Sequence, residues 1–178
     1  MKQLSFATTA LVLALLSLAA LVPARTAARV GARPPSFVLP AVVGGPTRGR
    51  FRIDEHLGRN PIVVLFWATW CAPCRQELPF YQSLFERHRA VGLQVVAVSM
   101  DDTSTITQAG PAARRLGVRF PVLSDLDTRV SSQMNPRRAA PFSVWVNREG
   151  RIVWEREGFA MAERDTIARG IASLVIRR

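Results

Sequence analysis

The chain has 178 residues and a formal charge of +11, from 24 Lys+Arg against 13 Asp+Glu. That length suits one folded domain behind a targeting segment, and an apolar half of the chain is enough for a real core. Lys2 is the only lysine; the arginines are scattered, with short clusters at Arg114–Arg115, Arg137–Arg138 and Arg177–Arg178 and no interleaved aromatics. The charge therefore reads as a basic solvated surface, and nucleic acid is not expected as a partner.

Residues 1–28 open with one lysine, continue through an apolar stretch and end in small residues, "PARTAA". That is the plan of a secretory signal. The uncharged run from Leu4 to Val22 is also nearly long enough to be an N-terminal membrane anchor. Both readings send the rest of the chain out of the cytoplasm. Residues 29–35 read as a linker, and 36–178 as the folded domain.

Within that domain, "SFVLP" (36–40) reads as a strand closed by proline, and "RFRI" (50–53) can pair back on it. "PIVVLFW" (61–67) holds a continuous apolar run, which suits a central strand covered on both faces. From Ala72 the spacing of Leu78, Tyr81, Leu84, Phe85 and His88 is helical, ending at Gly92. "LQVVAVS" (93–99) is a second buried strand. Residues 103–116 read as a helix broken at Gly110-Pro111, and "FPVLSD" (120–125) as a short strand. "FSVWV" (142–146) and "RIVWERE" (151–157) form a hairpin around "NREG" (147–150), and Ile167, Ile171, Leu174 and Val175 line a last helix. Alternating strands and helices predict an α/β fold with parallel strands and one antiparallel hairpin.

Cys71 and Cys74 are the only cysteines, and they fall just past the end of strand 61–67. In such sheets, reactive groups gather at the carboxyl ends of strands. Structural zinc would need about four ligands. His56 and His88 are the only histidines, and neither shares a ligand spacing with the pair, so no metal is expected. A structural disulfide closing so small a loop would stabilise little. Redox chemistry fits better. A helix N-terminus favours a thiolate at Cys71, and Cys74, one turn on, can resolve a mixed disulfide. Pro73 presets a first helical turn. Trp70 is expected to cover one side of the pair, with ordinary core packing as the alternative. Glu77 lies one turn below Cys74. It is either a buried acid that handles the inner thiol's proton or an exposed helix glutamate neutralised by Arg75 or Arg87. Pro79 should kink the helix. Pro141 precedes a strand; it is either a cis-proline that frees Ala140 for main-chain pairing with a substrate peptide or a trans proline opening that strand.

"FWATWCAPCRQELP" (66–79) resembles the active-site segment of the TlpA-like thiol:disulfide oxidoreductases of the thioredoxin superfamily. "SFVLP", "VVAVSMDD" (95–102), "GVRFPVLSD" (117–125) and "APFSVWVNREGRI" (140–152) extend the resemblance in order. The resemblance implies a thioredoxin-like fold with an N-terminal β-hairpin extension and a central insert at 100–125. It implies that Cys71 attacks and Cys74 resolves, and it favours the buried-acid Glu77 and the cis-proline Pro141. It implies a reductant of protein disulfides in the bacterial periplasm or on the outer face of the inner membrane, in cytochrome c maturation or oxidase copper-site preparation, recharged by a membrane thiol electron donor. "LDTRVSSQMNPRRAA" (126–140) departs from the family's usual helix and turn, and Ala140 replaces a bulkier or hydroxylated residue. A monomer is expected, with no cofactor beyond the cysteine pair. The rivals are an oxidant of the same fold, a thiol peroxidase, and a copper-binding adaptor that uses the pair as soft ligands.

Overall fold

Seven strands form one sheet in the computed structural model, which describes residues 30–44 and 49–176. In chain order they are β1 (Val38–Val43), β2 (Arg50–Arg52), β3 (Ile62–Trp67), β4 (Gln94–Ser99), β5 (Val122–Ser124), β6 (Phe142–Val146) and β7 (Ile152–Glu157). The helices are α1 (Cys74–His88), α2 (Ile106–Arg115), α3 (Arg129–Met134) and α4 (Arg164–Ile176). The sheet order is β2-β1-β5-β4-β3-β6-β7. The middle strands β5, β4 and β3 are parallel, and every other pairing is antiparallel.

The apolar run at 62–67 becomes the innermost layer because all six of its side chains are buried. Val63, Leu65 and Trp67 join the core beneath α1, α2 and α4. Ile62, Val64 and Phe66 join the opposite core, with α3 and the β1–β2 hairpin. Side chains alternate across a strand, so a continuous apolar run fills both cores at once. β3 ends at Trp67 and α1 begins at Cys74, which leaves the cysteine pair at the carboxyl edge of the sheet.

Four expectations change. β1 does not stop at Pro40 but runs to Val43. It pairs with β2 through Pro40 and with β5 beyond it, so the proline sits where one ladder hands over to the other. α2 is not broken at Gly110-Pro111. Pro111 is exposed and removes one backbone donor, while buried Ala109, Gly110 and Ala113 keep the helix on the core. The irregular stretch at 126–140 contains α3, absent from the expected order. Asp125 caps it from upstream, accepting from the Val130 amide (3.2 Å), the Ser131 amide (2.7 Å) and Ser131 Oγ (2.6 Å). The described part of the expected linker at 29–35, residues 30–35, is tied to the sheet. The Gly31 amide donates to Ile152 O (2.7 Å) and the Ile152 amide to Ala32 O (2.8 Å), so part of the β7 edge is covered. The expected signal or anchor, residues 1–28, lies outside the described residues. No helix among the described residues is long and apolar enough to cross a membrane.

Candidate active site

Cys71 and Cys74 are joined by a disulfide. Ala72 and Pro73 between them are exposed, while Cys74 is fully buried and Cys71 keeps the pair's slight exposure. Pro73 sits at the cap of α1 with helical φ −63° and ψ −31°, so the first turn starts inside the loop. The Cys74 amide donates to Cys71 Sγ at 3.2 Å. A donor aimed at that sulfur, together with the positive end of α1, favours a thiolate at Cys71 once the disulfide opens.

The approach to the pair is held from β4. The Asp101 carboxylate accepts from the Thr69 amide (3.2 and 3.1 Å), Thr69 Oγ1 (2.5 Å) and Ser99 Oγ (2.7 Å). The Cys71 amide then donates to Ala68 O at 3.1 Å. Asp101 is buried and fixes the turn that carries Trp70 and Cys71. Asp101 is not among the site residues that the sequence marks out. Its signal was a carboxylate at the end of the strand beside β3.

Glu77 is 1% exposed, and its Oε2 has no hydrogen-bond partner. Burial pushes its carboxyl up from 4.5 to about 8, and the Arg156 guanidinium pulls the other way. Tyr81, one turn further along α1, is equally buried. Burial first, then the Glu77 carboxylate, raise its phenol above the ordinary range. The Tyr81 hydroxyl comes near Ser143 and Trp145 without satisfying hydrogen-bond geometry with either. β6–β7 pairing sets Ser143 opposite Arg156, whose side chain is mostly buried and ion-paired to Glu163. Glu77 is therefore an interior acid with one cation in range.

The other expected residues divide. Trp70 is 60% exposed and does not pack into the core. Ala140 is half-buried against the core that contains both cysteines, and the Ala140–Pro141 bond is cis. Buried Asn135 secures the segment before it, donating to Ala139 O (2.7 Å) and accepting from the Ala139 amide (3.0 Å). His56 stacks on Phe51, with ring centroids 5.1 Å apart, and His88 lies on the far part of α1. Among the described residues, no cluster of three or more His, Cys, Asp or Glu could hold a metal.

A sheet with a parallel centre, a Cys-Ala-Pro-Cys disulfide leading into a helix and a proline-led antiparallel strand define a thioredoxin-fold protein, as the sequence led one to expect. The chain belongs to the AhpC/TSA family, which residues 30–155 match. It is similar to the thiol-disulfide oxidoreductase ResA of Geobacillus kaustophilus, at 29% identity over 111 residues, 62% of this chain and 60% of the relative. The ResA of Bacillus subtilis is 28% identical over 125 residues, 69% of this chain and 64% of that one. The chain thus matches about three fifths of the length of these relatives. The crystal structure of a putative thiol:disulfide interchange protein DsbE from Chlorobium tepidum superposes with a TM-score of 0.74 at 25% identity, covering 84% of this chain and 99% of that one.

Proposed function

We propose that this protein is an extracytoplasmic thiol-disulfide oxidoreductase that reduces disulfides in other proteins. The observation that carries the reading is the Cys71–Cys74 disulfide at the head of α1 with the buried, unpaired Glu77 one turn below. The names of the ResA relatives and of the DsbE neighbour support the same chemistry. In the reduced protein the Cys71 thiolate attacks a substrate disulfide and forms a mixed disulfide, releasing one substrate thiolate. Cys74 then loses its proton to Glu77, attacks Cys71 and releases the second substrate thiolate. Two electrons have passed to the substrate, and the Cys71–Cys74 disulfide remains.

Glu77 suits that task because its carboxyl, at about 8, lies near the ordinary thiol value of roughly 8.5. A proton then moves between them in either direction at little cost. When a donor reopens the disulfide, protonated Glu77 returns the proton to Cys74. Cys71, Cys74 and Glu77 are the catalytic residues of this reading. Trp70, Pro73, Ala140 and Pro141 frame the substrate's approach. The substrates are protein disulfides of the kind met in cytochrome c maturation or oxidase copper-site assembly. A membrane thiol carrier recharges the protein, which works as a monomer without a further cofactor, and residues 1–28 export or tether it.

Trapping tests the reading. Cys74→Ser should accumulate a mixed disulfide between Cys71 and a protein substrate, and Cys71→Ser should abolish insulin-disulfide reduction. A Cys74→Ser protein that captures nothing, in a preparation whose wild type reduces insulin, contradicts the assigned order of attack.

A further inference from the structure

A cavity of about 290 Å³ opens between the first turn of α1 and the insert helix α2. Its lining includes Trp67, Thr69, Arg75, Gln108, Arg115 and Leu116. Thr69 lies two residues before Cys71, and Arg75 directly follows Cys74, so the cavity borders the disulfide along the chain. Its polar groups are mainly donors. Arg75 and Arg115 form no ion pair among the described residues. Trp67 is 1% exposed, and its indole N–H is buried without a hydrogen-bond partner. The buried carboxylate that holds the lining residue Thr69, Asp101, is already engaged by Thr69 and Ser99.

We infer that this cavity is a specificity subsite that takes the carboxylate of an Asp or Glu side chain close to the disulfide of the substrate polypeptide. The inference rests on the oxidoreductase reading, because the ligand is the partner held at Cys71. The two guanidinium groups, free of ion pairs among the described residues, match a carboxylate, which only accepts hydrogen bonds. The net charge of +11 draws acidic partners toward this surface in general, and the cavity fixes one carboxylate in register with the sulfur under attack. α2 supplies Gln108 and Arg115, and Leu116 caps its C-terminal end, so on this reading the central insert serves substrate choice.

The test uses reduced full-length protein and a set of cystine peptides carrying one Glu at successive positions around the disulfide, each paired with its Gln counterpart. In at least one register the Glu peptide should react about five- to ten-fold faster by kcat/KM, and raised salt should shrink that advantage. Arg115→Gln should abolish the advantage through KM, while Arg119→Gln, an equal charge loss outside the cavity, should leave it in place. Equal rates for Glu and Gln peptides in every register overturn the inference. So does an advantage that survives Arg115→Gln or disappears equally in Arg119→Gln. If neither kind of peptide reacts, the oxidoreductase reading itself fails and the subsite falls with it.

Discussion

Glu77 and Tyr81 stand one turn apart on α1, both buried, and each ends in an oxygen that no hydrogen-bond partner satisfies. Two unsatisfied polar groups side by side in a core are costly, so each makes a prediction about stability as well as about chemistry.

For Glu77 the sign follows from the raised carboxyl. Its ordinary value is 4.5 and its folded value about 8. Between these values the folded state holds a proton that the unfolded state has released. The contribution of this group is therefore fully present below about pH 4.5 and is lost as pH rises toward 8. At about 1.4 kcal/mol per unit the loss approaches 5 kcal/mol as an upper bound. Glu77→Gln should flatten that decline, matching wild type near pH 4 and exceeding it by several kcal/mol near pH 9. Urea unfolding at a series of pH values reads this directly, and parallel curves for the two proteins would refute it.

Tyr81→Phe removes a buried hydroxyl that has no partner while keeping the ring in the core. We expect no loss of stability and a gain of up to about 1 kcal/mol, visible as a raised Tm. A loss of about 1 kcal/mol or more would mean that the hydroxyl is bonded in solution.

Asp101→Ala strips the Thr69 amide and hydroxyl and the Ser99 hydroxyl of their acceptor. Three donors lose a buried charged partner, and destabilisation of about 2–4 kcal/mol is expected. Disulfide exchange should slow as well, because the turn before Cys71 loosens. Urea unfolding measures the first effect and insulin reduction the second. Wild-type behaviour in both would remove Asp101 from the account.

Gly170→Ala tests the packing of α4. A Cβ there would lie 2.7 Å from Trp145 Cζ3 and 2.9 Å from Cη2. Alanine is the better helix former by about 1 kcal/mol, but overpacking against a buried indole costs about 1–3 kcal/mol. The net expectation is a lower Tm, and a higher one would show that Trp145 yields freely.

The sequence carried the central architecture because its signals are local. An apolar run as long as Ile62–Trp67 has few uses other than an inner strand, and a cysteine pair just past it falls where sheet topology gathers chemistry. α3 is not legible in the sequence because the carboxylate that caps it, Asp125, lies several residues upstream of its first turn and reaches it through space. Residues alone left Glu77 undecided, since an acid on a helix is ordinarily exposed. Its burial follows from the face that α1 turns to the sheet, and the charge in range, Arg156, is placed by the β6–β7 register, which a sequence does not print. Trp70 is settled in the same way: the turn pinned by Asp101 presents it to solvent, which excludes core packing, the alternative to a ring that covers the pair.

The most direct test is the reduction potential of the Cys71–Cys74 couple, measured on the protein lacking residues 1–28 against a thiol redox buffer. A reductant of protein disulfides should give a value at or below about −220 mV, in the range of thiol reductants. A value near −120 mV, roughly that of a strong oxidant, would contradict that reading by reversing the proposed flow of electrons.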